Sequence, residues 1–416
     1  MPPRQLQQPQ RRRETQRVPR VLGVLCVLLS AQGCGRPTTM DADEPAPPFT
    51  FRALDLQQRT RQGLPAWSLK SPEARYDLRS SVARALKPEG IIFEKGQPLY
   101  TLAATTGTVI NDGAVILLEG EIRLQRQGKD PILLTADRAL WIPQESLMRF
   151  EVRPSVRNLQ TQLSAETATL QIDKDRLNLR GAPTLKRWSR PIALNAKTSD
   201  QTPEIHGTFQ EVEWQPSQGD LKAQGPVTFT RRPPGRAPHL PPQLLKGSRL
   251  EGNTVRQDYA LIGPVDFTDP VERSWFRGGD VLVNTKTSQL NSKPAFQGQK
   301  ADLQVQGEEF QLDGKGTTAT IARNCQLQQK GDQLNAQRCQ WNWKTQAISA
   351  DGQVVYRRTA NGQLTRAERM EGRLGPDGEV KATSPGGRVF SQLRVPRQAA
   401  TPKPVRTPSK PNPIVF

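Results

Sequence analysis

The stretch that decides the fold is Gly120–Leu124, which reads GEIRL, followed by Leu134–Trp141, which reads LTADRALW. Apolar and polar residues alternate in the first segment with a period of two, which predicts a β-strand that buries one face, and in the second segment apolar and small residues flank the polar pair Asp137-Arg138. The pattern returns roughly every 30 residues, a spacing typical of repeat architectures. Related phrases begin at residues 90, 152 and 181, and looser ones (GPVTF, GPVDF and GQVVY) begin at residues 225, 263 and 352.

Short runs of this kind fill residues 49–395, and they are broken by Gly, Asp, Asn and Pro rather than joined into helical stripes. Each run offers only one apolar face, so a single hairpin cannot bury its inner side alone. Successive hairpins must therefore stack. The sequence predicts an all-β fold in which repeated antiparallel hairpins form two facing sheets.

Several phrases resemble a known family. These are Phe51–Asp55 (FRALD), Trp67–Tyr76 (WSLKSPEARY) and the Leu-x-Ala-x-x-Ala phrases at 134–139 and 163–168. They are similar to the periplasmic bridge proteins of lipopolysaccharide export, LptC and its relative LptA. The resemblance implies an elongated open β-jelly roll, or β-taco, whose apolar groove carries acyl chains. It also implies lipopolysaccharide transport, as part of a bridge from an inner-membrane ABC transporter to the outer membrane.

Small and aliphatic side chains would line such a groove. Burial of an acyl chain contributes about 0.8 kcal/mol per CH₂, so several chains bind firmly without specific polar contacts. Ordinary core packing is the alternative for every position. The predicted lining is Val115, Leu117, Ile122, Leu124, Leu133, Ala136, Ala139, Trp141, Leu163, Ala165, Ala168 and Leu170.

The first 34 residues have the layout of an export signal. Six arginines precede the apolar run from Val21 to Ala31, and this run is shorter than the roughly 20 residues that span a bilayer. Ala31–Gly35 (AQGCG) resembles a bacterial lipobox, which implies lipidation of Cys34 after removal of residues 1–33. Cleavage elsewhere and an uncleaved anchor remain the alternatives. We expect a periplasmic protein anchored in a membrane, the inner membrane in preference to the outer.

The expected organisation beyond the signal has four parts. Residues 34–48 form a flexible tether and residues 396–416 a disordered Pro-rich tail. Residues 49–190 form the LptC-like jelly roll. Residues 191–395 form a second region of LptA/OstA-like repeats that includes the Pro-rich loop 231–243.

The chain is strongly basic, with a formal net charge of +19. This excess is spread along the sequence, which suits membrane surfaces and acidic glycolipids. An exported chain without a clustered basic run does not indicate nucleic-acid binding. The expected ligand is therefore lipopolysaccharide or a related anionic glycolipid. Unpaired backbone groups on the terminal strands favour homologous β-jelly roll proteins as partners, added edge to edge.

Two of the four cysteines, Cys325 and Cys339, lie outside the export segment. A hairpin centred on Asp332 would place them directly opposite each other, at a separation that a disulfide bridges. An oxidising compartment favours that bond. Two buried free thiols are the alternative.

Enzymatic interpretations have little support in the sequence. The only histidines, His206 and His239, have no metal-ligand or triad partner nearby, and Gly307–Lys315 lacks the spacing and the final Ser or Thr of a phosphate loop. We expect no catalytic residue, no metal and no cofactor. A glycan-active β-repeat enzyme using Asp137, Glu166 and Asp302 is the alternative from another class. A structural lipoprotein without a ligand is the third.

Overall fold

The computed structural model describes residues 49–128, 130–199, 201–374 and 378–394. Its regular structure there is antiparallel β, which confirms the predicted all-β class; the other elements are two 3-10 turns, Asn111–Gly113 and Pro143–Glu145. The predictions for the signal, for Cys34, for the tether and for residues 396–416 lie outside the described residues.

The strands in the first half of the chain are β1 Phe49–Phe51, β2 Leu54–Arg59, β3 Pro65–Ser71, β4 Glu73–Asp77, β5 Val82–Leu86, β6 Glu89–Glu94, β7 Gln97–Ala103, β8 Thr106–Ile110, β9 Val115–Arg126, β10 Leu133–Ile142, β11 Leu147–Val152, β12 Ser155–Arg157, β13 Thr161–Ser164, β14 Thr167–Gln171, β15 Arg176–Arg180, β16 Thr184–Arg187 and β17 Ile205–Thr208.

The strands in the second half are β18 Glu211–Gln215, β19 Asp220–Arg231, β20 Gln243–Asn253, β21 Asp258–Ile262, β22 Val265–Asp269, β23 Ser274–Gly278, β24 Val281–Asn284, β25 Gln289–Ser292, β26 Phe296–Lys300, β27 Leu303–Asp313, β28 Thr318–Gln329, β29 Asp332–Ala336, β30 Arg338–Asn342, β31 Ile348–Arg358, β32 Gln363–Gly372, β33 Val380–Thr383 and β34 Phe390–Gln392.

The strand pairings define two series, which we call sheet I and sheet II. Sheet I runs from β2 through β3, β6, β7, β12, β13, β16, β17, β22, β23, β26 and β29 to β34, and sheet II runs from β1 through β4, β5, β8, β11, β14, β15, β18, β21, β24, β25 and β30 to β33. Eight long strands belong to both sheets because one half of each pairs in sheet I and the other half in sheet II. These are β9, β10, β19, β20, β27, β28, β31 and β32.

Each pass of the chain therefore crosses from one sheet to the other. The line along which the passes bend is here called the spine. The turns between passes lie at the opposite ends of the strands, alternately on the free edge of sheet I (rim I) and on that of sheet II (rim II). The space between the two inner faces is here called the trough.

The repeated phrases of the sequence mark the spine. Gly120 and Gly181 have φ values of 75° and 80°, in the left-handed region, and each stands where its pass leaves one sheet for the other. A Cβ on Gly120 would lie 2.7 Å from the Thr105 hydroxyl oxygen, so the bend needs glycine for space as well as for conformation. The register of the long strands shifts beside the bend, for example between Ala136 and Arg138, as in a β-bulge.

The apolar side chains between the sheets form two clusters. The first extends from Trp67 to Val281 and the second from Phe296 to Leu374, with Phe276 packed against both. The sheets themselves continue through residue 190, because β16 pairs with β17 across the intervening loop. The division at 190 is therefore not a break in the hydrogen-bonded ladder.

Cys325 and Cys339 are joined by a disulfide, with their Cα atoms 5.9 Å apart. The predicted register was wrong, however. The β28–β29 hairpin turns at Lys330–Gly331, so Cys325 stands opposite Ala336, and Cys339 lies on β30 opposite Ile321. Cys325 lies on the long strand β28, and Cys339 lies on β30. The two sulfurs are close because β30 pairs with β28 in sheet II, whereas β29 pairs with β28 in sheet I. Both cysteines are 1% exposed, inside the second cluster.

Candidate functional site

The predicted groove residues fall mostly on the inner faces of the trough. Nine belong to the first cluster or pack against it, and they come from both sheets. In the order of the chain they are Ile122, Leu124, Ala136, Ala139, Trp141, Leu163, Ala165, Ala168 and Leu170. All of these except Ala165 are buried.

Three predicted lining residues lie on the outer face of their strands instead. Val115 and Leu117 lie on the outer face of β9, since the inward positions there are Ile116 and Leu118. Leu133 is buried, but it lies on the face opposite to its neighbour Leu134. The assignment to the groove was therefore wrong for these three, because alternation shows that two faces exist without showing which one is inside.

The trough is closed at its rims near the N-terminal end. Trp67 of sheet I is 5% exposed, and its ring centroid lies 5.4 Å from that of Trp141, at the rim end of β10 in sheet II. A Cβ on Gly113, in the rim II turn after β8, would lie 2.8 Å from the Trp67 ring. The Trp67 indole N–H donates to the Gln58 side-chain oxygen at 2.7 Å. This indole therefore fills the gap between the two rims.

The middle segment of the trough, which we define as β16 to β25, is different. Its spine-side residues are buried, as shown by Val227 at 0% and Leu261 at 3% exposure. At its rims Trp214 and Leu221 are buried, but seven other rim-side residues are only half-buried, although they pack against the same cluster. They are Leu185, Phe229, Leu245 and Phe276 from sheet I and Tyr259, Val283 and Leu290 from sheet II.

These half-buried side chains are cross-strand neighbours. Phe229 stands opposite Leu245 in sheet I, and Val283 stands opposite both Tyr259 and Leu290 in sheet II. They form two facing apolar surfaces that water reaches from the rim side. Sequence reasoning missed this segment as a site, although the phrase that ends in Phe229 was an available signal.

The Pro-rich loop 232–242 lies on rim I of the middle segment, between β19 and β20. Arg232 donates to three carbonyls inside the loop, those of Ala237, Pro238 and Leu240, at 2.8–3.2 Å. Arg236 donates to both carboxylate oxygens of Asp269, at 3.0 and 2.9 Å. The loop is thus ordered by its internal hydrogen bonds, and the Arg236–Asp269 ion pair connects it to the next turn of rim I.

Asp269 is buried, with 2% of its side chain exposed. Burial alone would raise the pKa of this carboxyl, but hydrogen bonds from Arg236, Gln243 and the Glu272 N–H outweigh that effect. The net result is a lowered pKa, so the carboxylate remains charged and keeps its arginine at neutral pH. The loop is therefore held by an ion pair with well-defined geometry.

The residues of the enzymatic alternative do not come together. Asp137 and Glu166 lie at the spine, where Asp137 accepts a hydrogen bond from Arg153 at 2.5 Å. Asp302 lies on rim I and pairs with Arg273 and Lys330, each at 3.4 Å. These acids thus lie at opposite sides of the trough. Of the two histidines, His206 is on β17 and His239 is in the loop 232–242.

Part of the chain is similar to a known family. Residues 21–182 match the family model LptC, described as lipopolysaccharide-assembly, LptC-related. The resemblance read from the sequence is thereby confirmed for that part of the chain. The match supports a role in lipopolysaccharide transport, and it suggests a periplasmic location.

Among solved structures, the chain is similar to LptH of Pseudomonas aeruginosa, described as the LptA homologous periplasmic component of the conserved lipopolysaccharide transport device. The identity is 15%, the alignment covers 28% of this chain and 82% of that one, and the TM-score is 0.23. No curated protein matches the chain. Within the described residues, no helix has the length and apolar content needed to span a bilayer.

Proposed function

We propose that this protein binds the acyl chains of lipopolysaccharide, or of a related anionic glycolipid, in the middle segment of the trough. The observation that carries the proposal is the contrast along the rims. At the N-terminal end Trp67 and Trp141 are buried and close the rims, whereas in the middle segment Leu245 and Tyr259 are half-buried on the inner faces, although Trp214 is buried. An acyl chain that covers those side chains removes their remaining apolar surface from water, at about 25 cal/mol per Å².

In this proposal the protein forms part of a bridge between an inner-membrane ABC transporter and the outer membrane. The ends of the ladder support such a role. Within the described residues, β1 pairs only with β4 and β34 only with β32, which leaves a free edge at each end. Phe49 and Phe390 are 54% and 52% exposed on these strands. Such edges accept a strand from a homologous jelly roll.

The anchor belongs to the proposal as well. The order of basic residues, apolar run and Cys34 supports export and lipidation, and the LptC resemblance favours the inner membrane. A lipid on Cys34 would keep the trough near the membrane from which its ligand comes.

Photocrosslinking in living cells tests the proposal. A photoreactive residue at Leu245 should form adducts with lipopolysaccharide, because this position is half-buried on the inner face. Lys246 is the matched control, since it follows on the same strand but is exposed on the opposite face. Adducts at both positions in equal yield, or at neither, would contradict binding in the middle segment.

A further inference from the structure

Arg126, Arg236 and Arg358 each belong to a cluster at rim I, and the second and third of these clusters are complete. In the second, Arg236 pairs with Asp269. In the third, Arg358 donates to both carboxylate oxygens of Asp332 at 3.1 Å, and the Tyr356 hydroxyl donates to the same carboxylate at 2.8 Å. Asp332 is buried, with 3% of its side chain exposed. In both clusters a carboxylate of the chain itself neutralises the arginine.

The first cluster has the donors but no acceptor. Tyr100 on β7 and Arg126 on β9 are paired residues in sheet I; Arg126 is the last residue of β9, at rim I, and Tyr100 is in the middle of β7. Tyr100 is 2% exposed. Among the described residues, its hydroxyl has no hydrogen-bond partner, and neither has the buried Nε of Arg126. A buried donor without an acceptor is costly and uncommon.

The face and the charges of this cluster are well defined. Arg126 occupies the same face of β9 as Ile122 and Leu124, so its stem is directed toward the trough. Burial raises the pKa of Tyr100, and the charge of Asp175 raises it further, so the hydroxyl stays protonated and remains a donor. Asp175 belongs to rim II, where the Ser217 N–H and hydroxyl both donate to it. Glu94 is the other acidic group near Tyr100.

We propose that Tyr100 and Arg126 form a subsite for a phosphate group of the acylated glycolipid, at the rim of the N-terminal end of the trough. The inference rests on the proposed function and adds the headgroup chemistry. A phosphate offers several charged acceptor oxygens, so it can accept from the hydroxyl and from the guanidinium together. It would accept hydrogen bonds from Tyr100 and Arg126 as the Asp332 carboxylate accepts them from Tyr356 and Arg358.

The test measures binding of two lipid probes to the full-length protein: a lipid A with two phosphates and the same lipid A after enzymatic dephosphorylation. Arg126→Gln and Tyr100→Phe should each weaken binding of the phosphorylated probe about tenfold, since each removes a hydrogen bond to a charged group. Binding of the dephosphorylated probe should change less than about twofold. Arg123→Gln is the matched control, because Arg123 is exposed on the outer face of the same strand.

The outcomes separate the two claims. If both probes bind and neither variant distinguishes them, the phosphate subsite is wrong while binding in the trough stands. If the unmodified protein binds neither probe, the proposed function itself fails. Tyr100→Phe controls for misfolding, because it removes only a hydroxyl that has no hydrogen-bond partner in the described part of the chain. Circular dichroism of each variant checks the fold.

Discussion

The two buried rim tyrosines should respond in opposite ways to the loss of their hydroxyls. Tyr356→Phe removes the hydrogen bond to the Asp332 carboxylate, which is 2.8 Å long and fully buried. Hydrogen bonds to charged groups contribute about 1.5–3 kcal/mol, so the variant should be destabilised by about 2 kcal/mol. Tyr100→Phe removes a buried hydroxyl that has no partner in the described residues. We expect no loss of stability, or a gain of about 1 kcal/mol.

Equilibrium urea unfolding of the full chain, followed by tryptophan fluorescence, measures the two changes. Because repeat-like arrays unfold in parts, hydrogen exchange at β7 and β31 should accompany it to report local opening. The phenylalanine variants share the same chemical change and almost the same burial, so each controls for the other. A Tyr100→Phe variant destabilised as much as Tyr356→Phe would refute the reasoning, since the hydroxyl of Tyr100 would then have a partner within the protein.

Two further predictions concern the rim and the spine. Because the pKa of Asp269 is lowered in the folded state, its contribution is present above the unfolded value of about 3.9 and is lost as pH falls through the folded value. Asp269→Asn should therefore flatten the fall of the thermal midpoint between about pH 5 and pH 2; an acid limb identical to that of the unmodified protein would contradict the ion pair. Gly120→Ala should cost more stability than Gly63→Ala in chemical denaturation. Both glycines have positive φ, but only at Gly120 does a Cβ meet a neighbour, the Thr105 side chain; equal losses would show that the spine tolerates the contact.

The strands and their repetition could be predicted because both depend on the local sequence. Alternation within GEIRL and its relatives predicted strands, and their return predicted a repeat. The structure adds that the glycines of these phrases are bends: at Gly120 and Gly181 the chain takes positive φ and leaves one sheet for the other. A glycine at the start of a repeated motif is compatible with a turn, a bulge or a bend, and the local sequence does not distinguish these three conformations.

The errors arose where the outcome depends on register. Val115 and Leu117 were assigned to the inner face, yet Ile116 and Leu118 occupy it. Moving by one residue along a strand exchanges the two faces, and apolar residues stand at all four positions. The prediction for Cys325 and Cys339 shows the same limit. Their proximity depends on two strands in different sheets, whereas the sequence suggested a single hairpin.

By itself the sequence determined the class of the protein: an all-β repeat, basic, with segments similar to LptC, and it predicted an export signal. Those properties follow from composition and from short-range alternation, and both can be recognised without knowledge of the tertiary contacts. Only the tertiary structure decided where the trough is closed and where its lining meets water. It also decided that the Tyr356 hydroxyl donates to the Asp332 carboxylate, whereas the Tyr100 hydroxyl has no hydrogen-bond partner among the described residues. The burial of a side chain and its hydrogen-bond partners depend on which distant strands face each other, and only the folded chain determines this.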